Sequence, residues 1–319
     1  MSERLSQQGM GKIEVSRGVY APLDNAIDFD VLLYNLDDGT KDLGHDGGAP
    51  VANGTTIMSK SYAGKKSITH TFETDMLTSG VIATPPKWWK FLRACGLVQD
   101  ATGANAFIAW TGKPNCEKMT MEFPTWECGQ DPTGDFEVMA GAVGTFEIAC
   151  EGAGSVIRPS FTMTGKFGGV TTKTEAGDFA TPVGYDTGDS EVFLGATITM
   201  GGVVYNVFAW TLSFQGDIQP KDDQADVTNG VKTGIDFFKV ANANPQLTMT
   251  LERVEDIAND VIGATMNNEV YSGAVFAFSG GTQLTLTGVQ PIDDQNGTMN
   301  EEVTSDITCK VDTFEFRQV

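Results

Sequence analysis

Gln246–Leu251 reads QLTMTL, in which Leu247, Met249 and Leu251 alternate with Thr248 and Thr250. A period of two sends successive side chains to opposite faces of an extended chain. The stretch therefore predicts a strand with an apolar face buried and a threonine face outside. The pattern recurs on both sides of it. Ala196, Ile198 and Met200 alternate with Thr197 and Thr199, and Leu284 and Leu286 with Thr285 and Thr287. Met119, Met121 and Phe123 alternate with Thr120 and Glu122, and Phe161 and Met163 with Thr162 and Thr164. Turn residues, including 37 glycines, separate these segments. Together they predict a mainly β chain, an antiparallel sandwich or barrel with short flanking helices.

Three segments carry helical spacing. In Thr84–Gly96 (TPPKWWKFLRACG), Thr84 suits a cap, Pro85 the first turn and Gly96 a left-handed stop. Trp88, Phe91, Leu92 and Cys95 fall at i, i+3, i+4 and i+7, a stripe that packs on a sheet. Gly234–Ala243 and Arg253–Gly263 are the other two expected helices. The polar, Gly-rich stretch 37–64 is expected to be a long loop, and on a self-assembling protein a natural arm toward a neighbour. Ala176–Ser190 reads as a linker. The order of elements on its two sides is loosely similar, as in a degenerate tandem duplication. The expected organisation is a first β-domain over 1–175, a linker over 176–190 and a second β-domain with helices over 191–319.

Lys and Arg total 21 against 42 Asp and Glu, a net charge of −21. So acidic a chain does not grip nucleic acid or an anionic membrane, because both need basic surface to displace counterions. Residues 217–319 alone hold 17 acids and 6 bases, so the acidity is not confined to one loop. No apolar run approaches the roughly 20 residues of a membrane-spanning helix. The polar stretch Met1–Tyr20 lacks the apolar region of a secretory signal, so the chain is expected to be made and kept in the cytosol or to leave it by a route other than secretion.

Catalytic or metal-binding patterns are absent from the sequence. The two histidines, His45 and His70, are expected to be solvated or structural. The acidic groups Asp37, Asp38, Asp42 and Asp46, and Asp131, Asp135 and Glu137, lack the spacing of a calcium loop. Five cysteines without a C-x-x-C pair indicate reduced, mostly buried thiols. The expectation is a non-enzyme without cofactors. Two other readings are a carbohydrate-binding β-sandwich adhesin, with Trp110 and Trp126 as its only aromatic platform, and a hydrolase on a β scaffold.

TPPKWWKFLRACGLV (Thr84–Val98) resembles the "TPP…LLRACG" helix of bacteriophage major tail tube proteins from long-tailed, siphovirus-like phages. Met139–Gly169 is similar to that family's "GA-x-G…F…P-x-F-x-F-TG" segment, and Phe208–Pro220 with the following IDFFKVANA to its second half. Trp88-Trp89 and the acidic turn 131–137 depart from the pattern. The resemblance implies a virion structural protein whose β-domains close into rings that stack into a hollow tube for DNA ejection. It implies partners that are copies of itself, in hexameric rings or pseudo-hexameric trimeric rings, with the hexamer slightly favoured. It further implies tape-measure, tube initiator and terminator proteins, double-stranded DNA passing without sticking, no membrane, assembly in the bacterial host cytoplasm and residence in the virion tail. A tube terminator or distal tail protein is the nearest alternative. On this reading Glu73, Asp75 and Asp217 are candidates for lumen-facing acids, Asp37, Asp42, His45 and Asp46 for an inter-ring loop, and Trp88, Leu92 and Cys95 for helix packing.

Overall fold

A computed structural model describes residues 7–21, 23, 31–37, 39–43, 45–47, 61–100, 105–124, 135–172, 186, 188–200, 203–223, 225–252, 270–271, 274–299 and 302–319. Its first part holds β1 (Gln7–Ile13), β2 (Val31–Tyr34), β3 (Thr40–Asp42), β4 (His45–Gly47), β5 (Ser61–Ala63), β6 (Ser67–Thr74) and α1 (Trp89–Ala94). There follow β7 (Val98–Asp100), β8 (Phe107–Trp110), β9 (Met119–Pro124), β10 (Asp135–Cys150) and β11 (Ser160–Thr172). The second part holds β12 (Phe193–Met200), β13 (Val203–Asp222), β14 (Val227–Thr228), β15 (Val231–Lys232), β16 (Ile235–Glu252), β17 (Ala274–Phe278), β18 (Thr282–Met299) and β19 (Glu302–Gln318). Among the described residues the chain is mainly β and antiparallel, with almost no helix.

Strand pairing closes twice. β11, β6, β2, β1, β9 and β10 return to β11 as one six-stranded ring. β13, β12, β17, β18, β19 and β16 return to β13 as a second. Closure removes the exposed edges that make sheets associate indiscriminately. The rings join where β10 pairs with β13, from Phe146↔Phe214 to Cys150↔Trp210. β8 of the first part pairs with β19 of the second, so backbone hydrogen bonds cross between the two parts at both places.

Alternation explains the packing. On β6, Ile68, His70, Phe72 and Thr74 are buried while Ser67, Thr69, Thr71 and Glu73 are not. Phe72 lies opposite Phe161, Phe161 opposite Phe146, and Phe146 opposite Phe214. The four rings form a ladder on the inner face of β6, β11, β10 and β13. Centroids are 5.8 Å apart for Phe72–Phe161, 6.1 Å for Phe146–Phe161 and 5.2 Å for Phe146–Phe214, the last pair nearly parallel at 7°. Trp110 of β8 meets Phe214 edge-on at 4.9 Å, and Phe314 of β19 reaches Phe146 at 6.2 Å. One hydrophobic cluster therefore draws on both rings.

The helix is shorter than the sequence suggests. Two prolines disfavour helix in the residues before them, so helical hydrogen bonding starts only at Pro86, whose carbonyl accepts from Trp89 N (3.2 Å). Trp88, not Thr84, is the N-cap, without a side-chain cap bond. The expected stop is present: Gly96 has φ +107°, Leu97 N donates to Leu92 O (3.1 Å) and Gly96 N to Arg93 O (3.0 Å), a Schellman ending. Trp88, Phe91, Leu92 and Cys95 are all buried, with Phe91 against Phe72 (5.1 Å) and Phe161 (5.3 Å).

Two expectations are corrected. Gly234–Ala243 is not a helix: Ile235–Glu252 is a single strand, pairing with β13 from Asp222↔Ile235 to Val207↔Leu251. Its buried residues Ile235, Phe238 and Val240 fit either period over so short a run, and the extended partner β13 decides for strand. The stretch 37–64 is not wholly loop. Thr40–Asp42 pairs with β6, and His45–Gly47 pairs with Ser61–Ala63. The expected helix Arg253–Gly263 and most of the expected linker lie outside the described residues. Cys95, Cys150 and Cys309 are buried free thiols and Cys116 is an exposed one.

The β13–β16 pair runs past ring two and lies against ring one. Gly18 (φ +69°) makes this approach feasible, since a Cβ there would stand 2.1 Å from the Asp236 carbonyl oxygen. Lys66 N donates to Thr233 O (2.9 Å), and Lys118 lies 5.6 Å from the Phe237 ring centroid.

Truncating the ladder at its central rung leaves a cavity between the rings. Phe146→Ala should lower stability by about 3–5 kcal/mol, and Phe146→Leu by distinctly less, as read by chemical denaturation.

Candidate functional site

The polar side of this architecture is one surface. β6, β11 and β10 of ring one and β13, β16, β19 and β18 of ring two are hydrogen-bonded in that order. β3 adds to the outer side of β6, so eight strands form a continuous wall. At about 4.8 Å per strand it is roughly 35 Å wide. Ring one supplies three of the strands, with β3 beside them, and ring two supplies four.

Register aligns the outward side chains in rows. One row runs Glu73, Ser160, Glu147, Ser213, Gln246, Lys310 and Gln290 across seven strands. On one side of it lie Thr71, Thr162 and Thr145, and on the other Ala149, Thr211, Thr248, Thr308 and Asp293. A further row holds Thr250, Asp306 and Gln295. Glu147, Thr248 and Lys310 are exposed, and Thr71, Thr145, Thr162, Ser213 and Thr308 are half-buried. Threonine hydroxyls bond across strands, Thr69 with Thr164 (2.9 Å) and Thr71 with Thr162 (3.3 Å), and Thr250 donates to Asp306 (2.7 Å). The wall thus carries hydroxyls, amides and spaced carboxylates. Its rows include one lysine, Lys310, and the β13–β16 extension adds exposed Lys239 and Lys221, the latter paired with Asp236 (2.8 Å). These few lysines do not make the extended basic cluster that would hold a phosphate backbone.

Of the three acids expected on a channel face, two lie on this side. Glu73 ends the long row and accepts from Asn35 Nδ2 (2.9 Å). Asp217 is exposed on the extension, on the side of β13 shared by Ser213 and Gln215, and accepts from Asn242 Nδ2 (2.9 Å). Asp75 lies past the end of β6, held by Tyr34 Oη (2.7 Å) and Arg158 Nε (3.0 Å). Glu147 was missed, although Phe146, Ile148 and Cys150 alternate around it as plainly as the threonine strands do.

The four residues expected on an inter-ring loop divide differently. Asp37 and Asp42 lie at the β3 edge of the wall, whereas His45 and Asp46 belong to β4, whose side chains are outside the described set. A polar cluster fastens this edge. His70 Nδ1 donates to Asp37 Oδ1 (3.0 Å), its Nε2 stands 3.8 Å from Glu137 Oε2, and Lys41 donates to Glu137. The imidazole is buried with its centroid 3.9 Å from that of Phe123. Gly39 (φ +71°) covers it so closely that a Cβ would sit 2.4 Å from the ring. Burial pushes the Glu137 carboxyl up, but the nearby His70 and the hydrogen bond and charge of Lys41 prevail and hold it below the usual value.

Among the described residues no group of three His, Cys, Asp or Glu side chains could hold a metal ion. The aromatic platform proposed for sugar binding is not available at Trp110, which is 4% exposed and packed on Phe214. Trp126 lies outside the described residues. No helix among the described residues is long and apolar enough to cross a membrane. In comparisons with known proteins, no family and no curated protein matches the chain.

A carboxylate with a depressed folded-state pKa contributes stability above its unfolded value, and that contribution is lost as pH falls through the folded one. Glu137→Gln should therefore destabilise near pH 7, and its deficit in melting temperature relative to the wild type should hold down to about pH 5 and narrow as pH drops from about 5 to about 3. A deficit independent of pH would show that Glu137 acts through shape alone.

Proposed function

We propose that this chain is the major subunit of a bacteriophage tail tube, a structural protein without enzymatic activity, and that its eight-strand polar wall lines the channel through which DNA is ejected into the host. The observation that carries this reading is the wall itself. It is continuous across both rings, mostly polar on one face and backed by one hydrophobic core on the other. A monomer has no use for such a flat hydrated sheet, whereas a ring of copies encloses it. The partners on this reading are other copies of the chain in stacked rings, with tape-measure, initiator and terminator proteins. The setting is the virion tail, assembled in the bacterial host cytoplasm.

Strand arithmetic favours three copies per ring. A closed barrel tilted about 40° gains roughly 2 Å of diameter per strand. Two copies give sixteen strands and, once side chains are subtracted, a clear bore of about 22 Å, too tight for a duplex about 20 Å across with its water. Three copies give twenty-four strands and a bore of about 38 Å, leaving some 9 Å of solvent around the DNA, near one Debye length. Six copies give a bore near 85 Å, far wider than the cargo needs. The trimer, pseudo-hexameric because each chain supplies two rings, fits best.

The wall is suited to passing DNA without holding it. Hydroxyls bind water, and carboxylates set along the strands repel phosphates, while each lysine placed there would add affinity by releasing counterions. Wild-type protein should show no measurable affinity for duplex DNA near physiological salt. A variant carrying Glu73→Lys, Glu147→Lys and Asp306→Lys should bind it, with affinity falling steeply as salt rises, in fluorescence anisotropy. Salt-sensitive binding by the wild type would contradict a non-sticking channel.

A further inference from the structure

A second polar constellation lies where the β13–β16 extension meets ring one, at the end of the β6–β11 pairing beyond Thr69 and Thr164. Lys166, on β11 opposite Ala140 and Ser67, is fully buried. Its Nζ donates to the Gly18 carbonyl (2.5 Å) and to both oxygens of Asp226, Oδ1 at 3.1 Å and Oδ2 at 3.0 Å. Near-equal distances to the two oxygens bring the nitrogen within about 3.4 Å of Cγ, the separation of a near-attack pair. Asp226 is fixed from several sides. Its Oδ2 accepts from Thr228 Oγ1 (3.1 Å) and Thr233 Oγ1 (2.6 Å), and Thr233 N donates to its carbonyl (3.2 Å).

A second carboxyl, the buried Glu14, completes the group. Glu14 accepts from Gly18 N (2.7 Å), Thr120 Oγ1 (2.9 Å) and Gly141 N (2.6 Å). Gly18 therefore links the two groups, donating to Glu14 and accepting from Lys166. Burial raises the Glu14 carboxyl's pKa, against the lowering effects of Gly141, Thr120, Gly18 and the nearby Lys166 charge.

We propose that Lys166 and Asp226 form an intramolecular amide cross-link, made by the folded protein itself, that covalently staples ring one to the β13–β16 extension. In the first step the Lys166 ammonium hands a proton to the Asp226 carboxylate along the hydrogen bonds that join them, giving an amine and a carboxylic acid. The amine lone pair adds to Cγ. The Thr228 and Thr233 hydroxyls hold the oxygen that gathers charge. Glu14 carries a proton from the nitrogen toward the departing hydroxyl, the C–OH bond breaks, and water leaves as the Nζ–Cγ amide forms. Two charged groups become one amide and one water, with no oxidant, reductant or co-reactant. The link joins residues 60 apart in the chain and acts on the unfolded state as a disulfide does. It does not depend on the tube reading.

Intact-mass spectrometry of the denatured wild-type chain tests this directly. The expected mass, after allowance for the N-terminal methionine, is one water below that of the sequence, and a digest should contain a branched peptide joining the segments around Lys166 and Asp226. Lys166→Arg and Asp226→Ala should restore the full mass, and Glu14→Gln should slow the loss of water in freshly folded protein. A wild-type chain that keeps its full mass after prolonged incubation in the folded state, with no branched peptide, overturns the proposal and leaves an ordinary buried ion pair.

Discussion

Phe146 stacked between Phe161 and Phe214 is the contact on which the architecture depends. It sits at the seam between two closed rings, and its β10–β13 pairing is what turns them into one wall. The opposite faces of the same strands carry the Glu73–Ser160–Glu147–Ser213 row. Inside and outside are fixed by one register: a slip of one residue would expose four phenylalanines and bury two glutamates. Core packing and the polar surface are thus two readings of the same constraint.

The helix and the strand extension support that seam from the core side and the end. Phe91 of α1 rests on two of the ladder's rings, and the β13–β16 pair folds against ring one around the Gly18 approach. The Asp37–His70–Glu137–Lys41 cluster holds β3 at the wall's far edge. These devices make a broad sheet rigid without asking its outer face to contribute apolar contacts, which leaves that face to water.

Much of this was legible in the sequence because threonine strands advertise their period. QLTMTL and its relatives give the class and the side that stays outside, and the TPP…ACG segment gives the helix stripe and its glycine stop. What failed was short and ambiguous. IDFFKVANA carries buried residues compatible with two periods, and only the partner strand, distant in sequence, selects one. Thr40–Asp42 and the β4–β5 pairing are invisible in a polar, Gly-rich stretch because their bonds are backbone bonds to remote partners. Of the site, Glu73 and Asp217 could be named from alternation, whereas Asp75 is claimed by Tyr34 and Arg158, which no local pattern signals. The continuity of the wall across both parts could not be read at all, since register is a property of pairs of strands.

Cryo-electron microscopy of the assembled protein, from phage tails or from concentrated pure chain, tests the central claim most directly. The account predicts a hollow tube of stacked rings with three chains per ring, and Thr71, Thr162, Glu147 and Thr248 facing the lumen. A tube with this sheet turned outward, or tails whose tube is built from a different chain, would contradict it.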